Sequence, residues 1–312
     1  MIALLAGDPG RIVWLQYEPC SKKVGCWRLR VLSLKSGRQT AIAERWADDE
    51  AMPHALAVAG RRALLLTTAG SNTTTWGKLA VADLNQGRVK TLFTYDYPKA
   101  GDYEQPPPQI ASDGNVAVYT DGLVLRRLDS HGTKPLARLD ALPKSVAIRG
   151  QTVAVFIPSR PDSLHPTEDA LPLLPAKLEL RSLHDGHLVN SIELKSAGVD
   201  WYSAALTSAH LVVTSTERID IYGLRSAQIE RSLTVRAGIE AAAADATHVV
   251  FRTYDEQVWL LDPADGPPKR LASTSGSAGC GAVPAIAGRY VVWSEDLPHL
   301  HGCRIRAATI GG

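Results

Sequence analysis

Ala55-Leu56-Ala57-Val58-Ala59, Gly60-Arg61-Arg62 and Ala63-Leu64-Leu65-Leu66-Thr67 open the stretch that decides the fold. After a polar loop it continues as Lys78-Leu79-Ala80-Val81-Ala82-Asp83-Leu84, Asn85-Gln86-Gly87-Arg88 and Val89-Lys90-Thr91-Leu92-Phe93. Apolar runs of five to seven residues, broken by Gly- and Asn-containing turns, predict four consecutive strands joined by links short enough for antiparallel pairing.

The same unit recurs along the chain. Its first half returns as Ala3-Leu4-Leu5-Ala6-Gly7 before Arg11-Ile12-Val13-Trp14-Leu15, and as Ile110-Ala111-Ser112-Asp113-Gly114 before Val116-Ala117-Val118-Tyr119. Four further copies begin at Val146, Ala205, Ala242 and Pro284. The second half returns in Leu29-Arg30-Val31-Leu32-Ser33-Leu34, Leu178-Glu179-Leu180-Arg181-Ser182-Leu183 and Val258-Trp259-Leu260-Leu261-Asp262, each followed by a Gly turn. A helical solenoid does not fit, because β-branched residues alternate with polar ones and turns interrupt every ten or so positions. Seven copies with a period of roughly 30 to 55 residues predict an all-β, seven-bladed propeller of four-stranded antiparallel blades. The expected single domain spans residues 1–312, with blades near 2–44, 55–95, 109–139, 144–194, 203–235, 240–272 and 283–310. After Cys303-Arg304-Ile305-Arg306-Ala307-Ala308 few residues remain, so the last blade is expected to be incomplete. Residues 2–6 align as a first strand, so the ring either keeps an open outer edge or draws a strand from upstream of this sequence.

On the pattern Leu79-x-Val81-x-Asp83-Leu84-x-x-Gly87-Arg88 the chain resembles propellers with TolB-like, WD-type and quinoprotein-like repeats. The Gly-His and Trp-Asp pairs of WD repeats and the docking tryptophan of quinoprotein repeats are absent, so the resemblance implies fold alone.

Of the 312 residues 45% are apolar and 21% charged, and 34 Lys and Arg nearly balance 32 Asp and Glu. That balance excludes disorder and gives no field for nucleic acid. No apolar run reaches membrane-spanning length, so membrane insertion is not expected. Met1-Ile2-Ala3-Leu4-Leu5-Ala6-Gly7 is too short for a signal peptide and has no basic leader, so a secreted protein would carry its leader upstream of this start or have lost it.

In such a blade the first-to-second and third-to-fourth turns share one face, and these are uniformly tight. Second-to-third loops and blade connections share the other, and they hold the insertions: 17–26, 68–77, 158–176 and 295–302, with 45–53, 95–108, 196–202 and 273–283. Variable loops on a rigid scaffold are the usual seat of binding groups, which makes that face the functional candidate. Its candidate contacts are Trp46, Asp48, Asp49, Glu50 and His54; Tyr95, Tyr97, Asp102 and Tyr103; and His165, Asp200 and Trp201. Aromatics beside carboxylates suit sugars, cationic peptides or calcium, but no calcium loop with alternating Asp and a central Gly is present, and a plain surface connection is the favoured reading. Trp14, Tyr119, Phe156, Phe251 and Trp293 recur at similar points of the second strand and read as packing between blades.

Cys20, Cys26, Cys280 and Cys303 fall at loop ends on the same face, and the expected bridges Cys20–Cys26 and Cys280–Cys303 suit a secreted or periplasmic, bacterial setting outside the reducing cytoplasm. Four free thiols or a four-thiolate zinc site are the other readings, the latter disfavoured by the lack of Cys-x-x-Cys spacing. His299-Leu300-His301 beside Glu295 and Asp296 resembles a partial metal set but reads as solvated loop polarity, and no metal or cofactor is expected. Asn72-Thr73-Thr74 matches a glycosylation acceptor. No nucleophile elbow, phosphate-cradling loop or His-Glu-x-x-His helix is present.

Two functions follow. The favoured one is a monomeric, non-catalytic binding module for a protein, peptide or glycan. The other is a hydrolase or lyase on a polysaccharide or small molecule, which needs acid groups converging on one bond. Convergence of Asp48, Glu50, His54, Asp96, Asp102, Glu104, Asp162, His165, Asp200, Glu295 and His299 on the central channel would favour the enzyme.

Overall fold

The computed structural model describes residues 2–19, 25–47, 52–70, 74–98, 107–157, 176–194, 201–215, 217–273, 283–296 and 303–311. Regular structure among them is entirely β. Blade 1 comprises β1 (Ile2–Asp8), β2 (Arg11–Pro19), β3 (Gly25–Ser33) and β4 (Gln39–Ala47), and blade 2 comprises β5 (Met52–Ala59), β6 (Arg62–Gly70), β7 (Thr74–Asp83) and β8 (Val89–Pro98). Blade 3 is β9 (Ile110–Asp113), β10 (Val116–Asp121), β11 (Val124–Asp129) and β12 (Gly132–Arg138); blade 4 is β13 (Ser145–Arg149), β14 (Thr152–Ile157), β15 (Ala176–Ser182) and β16 (Leu188–Leu194). Blade 5 is β17 (Trp201–Leu206), β18 (His210–Ser215), β19 (Arg218–Gly223) and β20 (Ile229–Thr234); blade 6 is β21 (Ile239–Ala244), β22 (Val249–Thr253), β23 (Gln257–Asp262) and β24 (Asp265–Ser273). Blade 7 has three strands, β25 (Ala285–Ala287), β26 (Tyr290–Asp296) and β27 (Cys303–Thr309).

Within each blade the strands pair in chain order and antiparallel. Turns set this register locally: Asp113 pairs with Val116 across Gly114-Asn115, and Gly114 takes the left-handed φ of 56° that such a two-residue turn demands. The first strands of successive blades touch around an axis, and β1 meets β25, so seven sheets close into a seven-bladed propeller. Blade 1 and blade 7 share no sheet. They close through side chains, with Leu5, Ile12 and Trp14 packed on Ala285, Ala287 and Val292.

The core lies between blades, because each sheet buries both faces. Trp14, Tyr119, Phe251 and Trp293 hold equivalent positions, and each packs on the preceding blade of the ring. Phe156 sits one residue further along its strand, and the alternation of the pleat turns it to the following blade instead. All five are buried.

Several strands run further than turn signals suggest. Pairing continues to Pro19↔Gly25, Gly70↔Thr75, Thr74↔Pro98 and Asp296↔Cys303, so parts of the expected insertions are strand ends. Cross-strand hydrogen bonds carry the ladder through polar residues that lack the apolar alternation by which a strand is recognised.

Candidate functional site

First strands converge on the axis, and space there admits mostly small side chains. Ala6, Gly7, Ala57, Ala147, Ala205, Ala243 and Ala285 line a central cavity of about 320 Å³ to which all seven blades contribute. Its walls are apolar side chains and strand edges, and the Ser112 hydroxyl is turned aside to accept the Val58 amide at 3.1 Å.

The two ends of this cavity differ. Arg149 is the last residue of β13, on the side of the tight turns, and its guanidinium spans three other blades. Nη1 donates to Asp113 Oδ1 of blade 3 at 2.7 Å, Nη2 to the Ala244 carbonyl of blade 6 at 2.8 Å, and Nε to the Leu206 carbonyl of blade 5 at 3.4 Å. Asp113 Oδ2 also accepts the Gly150 amide at 2.6 Å. An always-charged planar fork suits this bridging role. Arg149 therefore straps the tight-turn end of the channel, a role composition alone does not reveal. A faint signal exists: at the corresponding ends of β1, β5, β9 and β25 stand Asp8, Ala59, Asp113 and Ala287, none of them basic.

His54, near the start of β5, lines the cavity at the loop-rich end. Its ring retains contact with solvent, yet the neighbouring strands desolvate it, which lowers its pKa by penalising the imidazolium. At neutral pH it is an uncharged donor and acceptor at the channel mouth.

Other expected contacts are dispersed. Tyr95 lies on β8 with its side chain buried, its hydroxyl donating to the Thr67 carbonyl at 3.0 Å. That hydroxyl lies over Gly77, where an added Cβ would come within 2.6 Å of it. Tyr95 thus belongs to the core shared by blades 2 and 3 and leaves little area for a partner. Trp46 is on β4 opposite Trp27, Tyr97 on β8 opposite Thr75, and Trp201 begins β17. Asp48, Asp49, Glu50, Asp102, Tyr103, His165 and Asp200 lie outside the described residues, as do Glu104, Asp162 and His299.

Among the described acidic and histidine candidates for catalysis, His54 alone lines the channel. Asp96 is an exposed residue of the outermost strand of blade 2. Glu295 accepts from Arg304 Nε at 2.5 Å and Arg306 Nε at 2.7 Å. Burial would raise its pKa, but the hydrogen bonds and charges of Arg306 and Arg304 outweigh that and hold it below the ordinary carboxylate value. Glu179, nearly inaccessible, is likewise consumed by Lys177 at 2.8 Å and Arg181 at 2.7 Å. No group of three potential metal ligands occurs among the described residues. Of the four cysteines, Cys26 and Cys303 are described and neither is a free thiol. Cys20 and Cys280 fall outside the described residues.

No protein-family model matches this chain. No curated protein matches it in sequence either. Solved structures do resemble it. The β-propeller domain of the trilobed protease from Pyrococcus furiosus, described as having an open velcro topology, aligns over 99% of this chain and 96% of its own with a TM-score of 0.58 and 12% identity. Prolyl endopeptidase aligns over 99% of this chain with a TM-score of 0.60 and 13% identity, but this chain covers 46% of it. Human WBSCR16 aligns over 92% of this chain and 85% of its own, with a TM-score of 0.52 and 10% identity. At such identities the likeness is one of architecture, and it shows that the chain has the β-propeller fold.

Proposed function

We propose that this chain is an extracytoplasmic, non-catalytic binding module whose loop-rich face takes a protein, peptide or glycan. The observation that carries this reading is the central channel to which all seven blades contribute, with His54 towards its loop-rich end and the Arg149 bonds spanning its tight-turn end. A concave floor opening into a rim of loops is the usual form of a recognition site on a rigid scaffold. Of the acidic candidates, Asp96 and Glu295 are described, and neither lines the channel.

The ligand can be sought with a glycan array and a displayed-peptide library, both probed with the 312-residue chain. Ligands so found are expected to lose at least about tenfold in affinity on Tyr97→Ala with Tyr103→Ala, and on His54→Ala, since aromatic contacts concentrate interface energy. Melting temperature is expected to change little. Substitutions at Gln86 and His187, in tight turns, should leave affinity intact. Affinity lost through Gln86 and His187 alone would move the site to the other face.

The extracytoplasmic part of the reading rests on the cysteines. Peptide mapping without reduction is expected to find Cys20 joined to Cys26 and Cys280 joined to Cys303, bridges that would pin two neighbouring loops. Crossed pairing, or four alkylated thiols in protein prepared from an oxidising compartment, would overturn it.

A further inference from the structure

A large aromatic side chain gains much by burial, and most tryptophans whose side chains are described in this chain follow that rule. Trp14, Trp27 and Trp293 are buried between blades, and Trp259 stacks on Phe251 with ring centroids 6.4 Å apart. Trp76 alone among them is exposed, at 38%. It stands near the start of β7, at the loop-rich end of blade 2.

Pairing fixes its neighbours. Trp76 lies opposite Ala69 of β6 on one side and Asp96 of β8 on the other. Two residues further along β7, on the same face, Lys78 lies opposite Thr67 and Thr94. Directly opposed side chains start about 5 Å apart and diagonal ones about 7–8 Å, so indole, carboxylate and ammonium share one small patch. Asp96 is exposed and Lys78 half-buried, and among the described residues neither side chain has an ion pair or a hydrogen bond. Strand carboxylates of other blades differ: Glu18, Glu179 and Glu295 are each held by two cations. The face that carries Trp76 also carries Leu65 and Ala82, which pack on blade 1 in a core whose loop-rich limit is Tyr17 and Trp27. Trp76 continues that face past the core into solvent.

We infer that Trp76, Asp96 and Lys78 form a glycan subsite that takes a neutral sugar ring. The inference rests on the reading of the loop-rich face as a binding surface and narrows its ligand to one class. The C–H bonds on one face of a pyranose carry partial positive charge, which the negative face of the indole attracts. Asp96 accepts hydrogen bonds from sugar hydroxyls and Lys78 donates to one, so both unspent groups find partners. One anion beside one cation leaves the patch without net charge, which suits a neutral polyhydroxyl ligand better than a cationic peptide that Lys78 would repel or an acidic one that Asp96 would repel.

The test prints neutral cello-, malto-, xylo-, manno- and chito-oligosaccharides beside uronate-containing and sulfated ones. The array is probed with the labelled 312-residue chain, and the strongest neutral ligand is titrated by calorimetry. At least one neutral series is expected to bind saturably, with affinity unchanged by added salt because no net charge meets another. Trp76→Ala should cost at least about tenfold and Asp96→Asn about three- to tenfold, while Trp76→Phe keeps part of the affinity through its smaller ring. Tyr254→Ala, which removes a 58% exposed aromatic from the loop-rich end of blade 6, should cost nothing. Should Trp76→Ala fail to fold, Trp76→Phe and Asp96→Asn decide. Binding confined to the acidic or sulfated glycans, binding to no glycan, or a neutral ligand indifferent to Trp76 and Asp96 overturns the inference. If peptides bind instead and need His54 or Tyr97, the inference falls while the reading of the loop-rich face stands. A neutral glycan lost through Gln86 and His187 substitutions alone overturns both.

Discussion

Gly7→Val is expected to lower the melting temperature of the chain by roughly 5–10 °C, the effect of about 3 kcal/mol of overpacking in a domain of this size. Gly7 lies where β1 meets β25, the seam that closes the ring. A Cβ placed there would come within 2.7 Å of both Ala287 Cβ and the Ile286 carbonyl oxygen, and within 3.1 Å of Ala287 Cα. These are backbone atoms or atoms fixed to backbone, so relief requires moving one blade against the other. The displaced contacts are those of Leu5, Trp14, Ala285 and Val292, which hold the seam in place of a shared sheet. Gly10→Ala is the matched control, since its nearest neighbour, Asp8 Oδ1, is 3.5 Å away. Calorimetry of both variants decides: a Gly7→Val midpoint equal to that of Gly10→Ala would mean that the two blades do not meet as described.

Arg149→Met is the second change with a large expected effect. Methionine retains the apolar stem but removes bonds to Asp113, Ala244 and Leu206 from a group about one-fifth exposed, and leaves the Asp113 carboxylate without its cation. Hydrogen bonds to charged groups and orphaned partners of this kind put the loss at about 2–3 kcal/mol. The local consequence is more diagnostic than the global one. The Gly150 amide, which donates to Asp113, should exchange with solvent at least about tenfold faster, while amides in the core of β22 change only in step with global stability. Adding Asp113→Asn should recover part of the lost stability, because it removes the uncompensated charge and the two sites are directly coupled. Full protection of Gly150 in Arg149→Met would show that the channel end is closed by something other than this strap.

The blades, the channel and the strap differ in how far they could be read in advance. Blade number and strand order were legible because each blade repeats the same apolar runs and the same Gly turns, and those signals act within a few residues of chain. The three strands found in the last blade were legible for the same reason. The aromatic series Trp14, Tyr119, Phe251 and Trp293 was legible as packing from its register, whereas the opposite orientation of Phe156 follows from a one-residue offset that pairing alone reveals.

Tyr95 shows the limit of local reasoning. In sequence it belongs with Tyr97 in an aromatic, acidic connection, yet continued pairing of β8 with β7 carries it into the core, where its hydroxyl meets the Thr67 carbonyl across Gly77. The Arg149 strap joins residues 36 and 95 positions apart, and no periodicity encodes which carboxylate or carbonyl a long side chain will meet. Alternation and turns are properties of neighbouring residues, so the chain alone determined that there are blades, how many, and which faces carry insertions. Which carbonyls and carboxylate Arg149 meets across the channel and how blade 1 meets blade 7 depend on distances between blades, and only closure of the ring decided those.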